Sequence, residues 1–212
     1  MSLQKRQRGR PRQYDRETAL LAARRLFWEK GFSASSIDEL CDVMSISKPT
    51  LYAGFGNKLE LYLAVLRQYE AEGRAAMAER LAHPDLATAL RQAAAGAVSN
   101  FLAGEFRGRG CLLVGTAVVE AATERAVQTE LRNDMLASGA LFEARFARAV
   151  AEGFAAPLSP ALMGAIMRDA IYAAALHARA GAGREELLAT LESVIVLLAG
   201  SAAKSDAARS LC

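Results

Sequence analysis

Residues 35–58 read SSIDELCDVMSISKPTLYAGFGNK, and this stretch decides the fold of the N-terminal part of the chain. Ser36, followed three residues later by Glu39, forms a capping box, the pattern that starts an α-helix. The apolar residues Leu40 and Cys41 are spaced to give a short helix one apolar face. The pattern therefore predicts a short, capped helix that ends near Met44.

A second short helix follows almost at once. Ser47 is a good N-cap, and Pro49 falls in the first helical turn, where the backbone N–H that proline lacks would have no partner. Leu51 and Phe55 are apolar at helical spacing, and Gly56 stops the helix. Two short helices joined by about four residues predict a helix-turn-helix.

The helix that precedes this pair is expected to brace it. Leu20, Ala23 and Phe27 follow helical spacing, and Gly31 gives a stop signal. In a DNA-binding helix-turn-helix, such a brace lets the second short helix place its N-terminal half in the major groove. A plain αα-corner shows the same apolar spacing, so the spacing by itself leaves both interpretations open.

The residues of these three predicted helices resemble the tetracycline-repressor-like (TetR) family of transcriptional regulators. The likeness rests on AARRLFWEKGF at 22–32 and on the stretch 35–58, and it covers about residues 15–70. Two positions depart from the family pattern. Ser45 stands where the family usually has glycine, which predicts a mildly strained left-handed backbone at the turn. Gly54 stands where the family often has histidine or an aromatic residue, which removes one possible contact with DNA.

The resemblance implies a three-helix DNA-binding domain over residues 15–60. Lys48 and Thr50 are expected to reach bases, and Tyr52 to reach a phosphate unless its ring packs into the core. Ser36 and Lys58 lie at helix N-termini, where backbone N–H groups favour phosphate. The DNA-binding residues predicted within this domain are Ser36, Ser47, Lys48, Pro49, Thr50, Tyr52 and Lys58.

Positive charge is concentrated before the first helix. The whole chain has 26 basic and 23 acidic residues, but residues 1–16 carry six basic residues against Asp15 alone. A basic end predicts an anionic partner. The sequence RGRPR at 8–12 resembles an AT-hook, whose arginines, here Arg10 and Arg12, suit the minor groove. Residues 1–14 are therefore predicted to be a basic, disordered arm that tightens DNA binding; a passive solubilising tail is the alternative.

Residues 61–212 show helical periodicity nearly throughout, so the chain is predicted to be all-α. Cys111–Ala122 is apolar on almost all sides and is expected to form a central buried helix. The resemblance implies that this second domain binds an effector and forms a homodimer through its last two helices; packing within one chain is the alternative. The residues predicted at the dimer interface are Leu162, Ile166, Leu187, Leu191, Val194 and Leu198.

Polar residues within apolar stretches are the candidates for the effector pocket, because a buried polar group needs a partner that a ligand can supply. Aromatic residues would form the apolar wall of the pocket. For each polar residue the alternative role is a structural hydrogen bond or a place on the surface, and for the aromatic residues it is a place in the core. The predicted effector-binding residues are Asn100, Phe101, Thr116, Glu120, Phe142 and Tyr172.

The pattern does not support an enzyme or a metalloprotein. His83 and His177 are the two histidines, and neither has an evident acid or nucleophile as partner. The three cysteines form no C-x-x-C pair, so no zinc site, no disulfide framework and no cofactor is predicted. The apolar runs fall short of the ~20 residues that span a bilayer, so no membrane association is expected.

Together these patterns predict a cytoplasmic transcriptional repressor that binds a double-stranded DNA operator. The expected ligand is an unknown small-molecule effector that releases the protein from its operator. An effector-independent architectural or protein-interaction DNA-binding factor is the alternative.

Overall fold

A computed structural model describes residues 14–103 and 108–200. Arg10, Arg12 and the rest of the predicted arm before Tyr14 lie outside the described residues. The regular structure of the described part is helical, so the all-α prediction is confirmed. Its elements are α1 (Arg16–Lys30), α2 (Ile37–Met44), α3 (Lys48–Phe55), α4 (Lys58–Leu81), α5 (Leu86–Phe101), a π-helix (Leu113–Ala117), α6 (Val118–Glu120), α7 (Arg125–Ala151), α8 (Pro160–Arg179) and α9 (Arg184–Ala199).

Residue contacts divide the chain into two compact units, at 1–65 and 66–212. The first unit holds α1, α2, α3 and the beginning of α4. Phe27, Leu51 and Tyr62 are fully buried in its core. The rings of Phe27 and Tyr62 meet edge to face, with their centroids 5.0 Å apart. Because the start of α4 contributes to this core, the first unit extends a few residues beyond the expected boundary.

Side-chain caps set the points at which α2 and α3 begin. Ser36 Oγ accepts a hydrogen bond from the Glu39 backbone N–H at 3.1 Å, and the Glu39 carboxylate accepts one from the Ser36 N–H at 2.9 Å. The predicted capping box is therefore confirmed. Ser47 Oγ accepts from the Thr50 N–H at 3.3 Å, which makes Ser47 the predicted N-cap of α3.

In the second unit, α5, α7, α8 and α9 pack around an apolar core. Helices α7 and α8 approach closely at Gly164, where an added Cβ would lie 2.7 Å from the backbone nitrogen of Glu143. Phe142 and Phe146 of α7 and Met163 of α8 are fully buried beside this crossing. Among the described residues, no helix combines the length and the apolarity that crossing a membrane requires.

The expectation of a central buried helix over Cys111–Ala122 was wrong in part. Leu113–Ala117 form a π-helix, and the two residues that follow, Val118 and Val119, are 51% and 70% exposed. The wider π-helical turn shifts the helical register, so a continuous apolar run does not keep every side chain inside.

The residues predicted at the dimer interface fall into two groups. Leu162 is exposed on α8, and Ile166 and Val194 are half-buried. The other three, which we also expected at the interface, pack into the core of the second unit instead. This correction has a simple reason: a 3.6-residue stripe of leucines marks the inward face of a helix whether the neighbour is in the same chain or in another one. The three residues in the core are Leu187, Leu191 and Leu198.

Candidate nucleic-acid interface

The turn between α2 and α3 sets the direction of the second helix. Ser45 adopts the left-handed conformation, with φ 53° and ψ 42°, and it is the one non-glycine residue with positive φ in the described part of the chain. Its N–H donates to Asp42 O at 3.1 Å, and the Ile46 N–H donates to Cys41 O at 3.0 Å. The strained backbone predicted from the missing glycine is therefore present.

The first turn of α3 presents polar side chains to the outside. Lys48 and Pro49 are exposed, and the hydroxyls of Ser47 and Thr50 are hydrogen-bonded to each other at 2.8 Å. The Lys48 Nζ lies 2.6 Å from Asp38 Oδ1 in an ion pair across the turn. The hydrogen bond from Lys48 to this carboxylate raises the pKa of Lys48 above its usual value.

The rest of α3 separates into a buried and an exposed side. Leu51 and Phe55 are buried, whereas Tyr52 is 51% exposed. The exposed position of Tyr52 suits a contact with phosphate, because packing in the core would bury the ring. Helix α3 is thus held to the unit by one side and open on the other.

The N-terminus of α2 already holds an anion. The Glu39 carboxylate accepts hydrogen bonds from both the N–H and the hydroxyl of Ser36, and it is paired with Lys30. The hydrogen bond from Lys30, followed by those from Ser36, lowers the pKa of Glu39 to about 2. A DNA phosphate would have to compete with this carboxylate for the Ser36 N–H and hydroxyl.

Lys58 is turned toward its own unit. Its Nζ lies 4.4 Å from the centre of the Phe32 ring and donates to Ser33 O at 3.5 Å. At the same N-terminus, Asn57 and Glu60 form a second capping box, with Asn57 N–H donating to Glu60 at 2.7 Å. A phosphate contact by Lys58 therefore requires its side chain to leave the Phe32 ring.

The end of α3 contacts Arg16 and also Tyr14, the last residue of the predicted disordered arm, and the sequence did not reveal these contacts. Arg16 Nη1 donates to Gly54 O at 2.6 Å, and its guanidinium lies 4.3 Å from the centre of the Phe55 ring. The Tyr14 ring packs against Phe55 with centroids 5.9 Å apart, and its hydroxyl fills the space that a Cβ at residue 54 would need. Because Gly54 has no Cβ, it leaves room for the Tyr14 hydroxyl.

The predicted effector residues lie at different depths of the second unit. Phe101, Thr116 and Phe142 are buried, and the Thr116 hydroxyl donates to Leu112 O at 2.7 Å within the helix. Glu120 is also buried. Asn100 is exposed near the end of α5 and donates to the Tyr69 hydroxyl at 3.0 Å.

The sixth residue, Tyr172, belongs to a polar network that sequence reasoning missed. Its hydroxyl donates to Asp134 Oδ2 at 2.7 Å, and Arg74 donates to Asp134 Oδ1 at 2.9 Å. Arg74 also lies 3.5 Å from the Glu70 carboxylate. Asp134 and Glu70 are buried, and Glu70 Oε1 has no hydrogen-bond partner among the described residues. Burial, followed by the charges of Asp134 and Glu130, raises the pKa of Glu70 to about 7.

The second unit also has a groove of about 480 Å³ between α5 and α9. Its lining is mostly apolar, and Arg91 donates to the Glu192 carboxylate in hydrogen bonds of 3.1, 2.9 and 2.7 Å. None of the six predicted effector residues lines this groove. Its lining residues are Arg91, Ala94, Ala95, Glu185, Leu188, Ala189, Glu192 and Ile195.

Comparison with known proteins gives the same assignment to the first unit. Residues 19–65 match the model of the bacterial regulatory proteins of the tetR family. The chain is 46% identical over 65 residues to the HTH-type transcriptional repressor ComR of Escherichia coli, and the match covers 31% of each protein. It is 46% identical over 59 residues to the HTH-type transcriptional activator FasR of Mycolicibacterium smegmatis, over 28% of this chain and 27% of FasR. The chain therefore spans less than a third of the length of these curated relatives.

A solved structure extends the likeness to both units. A cysteine mutant of the TetR family transcriptional regulator CifR, in complex with 26-base-pair double-strand operator DNA, is 30% identical to this chain. The TM-score is 0.80, and the match covers 88% of this chain and 98% of CifR. The helix-turn-helix and its exposed α3 define a DNA-binding transcriptional regulator. The chain belongs to the TetR family.

Proposed function

We propose that the chain is a repressor that binds its operator with the exposed start of α3 and is released when a small molecule occupies the second unit. The observation that carries the proposal is the division of α3, with Lys48, Pro49 and Tyr52 exposed and Leu51 and Phe55 buried. A helix held by one side and open on the other suits insertion into the major groove. The likeness to the repressor ComR supports repression of transcription. The likeness to the activator FasR makes activation the alternative.

DNA binding is tested by selecting duplexes from a random library with the full chain and measuring their affinity by fluorescence anisotropy. The expected result is an enriched, two-fold symmetric sequence, because two half-sites bound by a symmetric dimer repeat in opposite directions. Failure to enrich any sequence would overturn the proposal. A reporter gene placed behind the selected duplex then decides between repression and activation.

We propose further that two copies of the chain assemble through α8 and α9. The support is a set of large apolar side chains that these two helices leave exposed. A protein surface seldom keeps such a set open to water without a partner. Replacing Leu176 and Leu197 by glutamate should yield monomers in analytical ultracentrifugation, whereas Leu136→Glu on α7 should not. The exposed residues on the two helices are Leu162, Leu176, Val196 and Leu197.

The basic arm is proposed to add contacts to phosphates and to the minor groove. Residues 1–12 hold Lys5, Arg6, Arg8, Arg10 and Arg12. Each neutralised phosphate adds about 0.9 to the slope of log affinity against log salt. Deleting residues 1–12 should therefore lower affinity and flatten this slope by several units, while dimerisation stays unchanged. An unchanged slope would leave the arm a passive tail.

The effector is proposed to act on the buried polar network of the second unit. Tyr172, Asp134, Arg74 and Glu70 come from α8, α7 and α4, and a ligand that displaces one of their contacts would change how these helices pack. A thermal-shift screen of metabolites, repeated with Tyr172→Phe, should reveal compounds that stabilise the native chain. The same compounds should weaken operator binding. If no compound does both, the effector-independent interpretation is favoured.

A regulator of this class acts by binding, so we propose that the chain catalyses no reaction and works in the cytoplasm, where the DNA is. Fractionation of cells that express the chain, followed by immunodetection, tests the location.

A further inference from the structure

Two acidic residues follow each other at the start of α2, and they have different partners. Glu39 closes the capping box with Ser36 and pairs with Lys30. Asp38 reaches across the turn to Lys48, with 2.6 Å between its Oδ1 and the lysine Nζ. The cap therefore explains Glu39 and does not explain Asp38.

The ion pair of Asp38 and Lys48 contributes little to the fold. The side chains of Lys48 and Asp38 are 52% and 72% exposed, and ion pairs this open to water are weak and screened by salt. Lys48 is the first residue of α3, so the pair stands where the proposed recognition helix begins. Its position suggests a role in binding, not in stability.

We propose that Asp38 is a specificity-determining residue, which holds the Lys48 ammonium beside α3 and keeps it from neutralising phosphates on unmatched DNA. The proposal rests on the proposed binding of α3 to DNA. Contacts with phosphate add affinity that does not depend on sequence. On unmatched DNA, Lys48 must leave Asp38 to reach a phosphate, and the Asp38 carboxylate is itself repelled by the backbone.

A matched base pair offers partners to both side chains. In the major groove, lysine donates to O6 and N7 of guanine, and an aspartate accepts from the N4 amino group of cytosine. A donor and an acceptor 2.6 Å apart can therefore face the two bases of one G·C pair without separating. Asp38 lowers the affinity for unmatched DNA more than the affinity for matched DNA.

The test compares Asp38→Asn with the native chain on two duplexes, one of mixed sequence and one selected by the native chain. For Asp38→Asn, the affinity for the mixed duplex should rise about five- to tenfold, and its log–log salt slope should steepen by about 0.9, the value for one added phosphate contact. The affinity for the selected duplex should not rise with it, so the specificity ratio should fall about five- to tenfold. Asp42→Asn, which removes the same charge from the other end of α2, is the matched control and should change the ratio less than twofold.

A double variant shows whether the effect passes through Lys48. In a Lys48→Met background, Asp38→Asn should no longer steepen the salt slope. The inference is overturned if Asp38→Asn leaves both the mixed-duplex affinity and its slope unchanged, if it raises both duplex affinities equally, or if the slope still steepens without Lys48. Native protein that selects no duplex would instead overturn the proposed function, and that result is known before any variant is made. Circular dichroism melting should be the same for all variants.

Discussion

The two units of this chain use their polar residues in opposite ways. In the first, hydrogen bonds that define the site join near neighbours on the surface, such as Ser36 with Glu39 and the hydroxyls of Ser47 and Thr50. In the second, buried ionic contacts join residues about 60 positions apart, as Arg74 with Asp134 does. Short-range patterns can be read from sequence, whereas long-range ones depend on how helices pack. The contrast predicts that polar substitutions change DNA binding in the first unit and stability in the second.

The largest effect on stability is expected at Asp134. Asp134→Ala removes the acceptor of both Arg74 and Tyr172, which leaves a partly buried cation and a phenol hydroxyl without that partner. The free energy of unfolding should fall by about 3 kcal/mol, as when one member of a buried pair is lost. Urea unfolding followed by circular dichroism measures it. Glu143→Ala, at an exposed position of the same helix, is the control and should stay within about 0.5 kcal/mol of the native value.

The converse effect is expected at the start of α3. Lys48→Ala and Thr50→Ala should each weaken binding to the selected duplex by about 5- to 100-fold if they contact bases. Their unfolding curves should overlay the native curve, because Lys48 is exposed and the N-cap Ser47 remains. If these variants melt early and bind normally, the division of roles between the two units fails.

The same contrast explains how much could be predicted from the sequence. The capping box at Ser36 and the N-cap at Ser47 are local, so residue type and spacing were enough to predict them. The strained turn at Ser45 was predicted from the resemblance, since the family usually has glycine there. The resemblance then gave the arrangement of α1, α2 and α3. Asp38 could not be predicted as the partner of Lys48, because a charge on an exposed helix surface does not indicate its partner.

In the second unit, periodicity located the helices but misplaced some of the faces. Asp134 occupies a buried position of α7, whereas the apolar Met135 beside it is only half-buried. An acidic residue is rejected as a core residue unless its partners, here Arg74 and Tyr172, are known to be near. Leu191 was predicted at the dimer interface because its apolar pattern shows that the side chain is buried. The pattern does not show whether the neighbouring helix belongs to the same chain or to another copy.

A smaller effect, which depends on pH, is expected at Glu70. The pKa of Glu70 is raised to about 7 from a usual value of 4.5, so between these values the folded chain holds a proton that the unfolded chain releases. The free energy of unfolding should therefore fall as pH rises from 4.5 to about 7 and then level off. Glu70→Gln should remove this fall and be more stable than the native chain at pH 8 by about 2 kcal/mol. Parallel curves for the two proteins between pH 5 and pH 8 would contradict the raised pKa.

The smallest effects are expected at Tyr14 and Gly54, where the two residues share one space. The Tyr14 hydroxyl is buried and makes no hydrogen bond with the described residues, so Tyr14→Phe should change the free energy of unfolding by less than about 0.5 kcal/mol. Gly54→Ala alone should gain little, because the added Cβ meets that hydroxyl and offsets the better helix propensity of alanine.

In the Tyr14→Phe background the hydroxyl is gone, and the nearest ring atom, Cζ, lies 3.4 Å from the added Cβ, an ordinary contact. Gly54→Ala should then stabilise the first unit by about 0.5–1 kcal/mol, since alanine is the better helix former. The four proteins of this cycle are compared by thermal melting under the same conditions. Equal effects of Gly54→Ala in both backgrounds would mean that Tyr14 is not held against α3. The glycine at 54 would then need an explanation at the DNA surface instead.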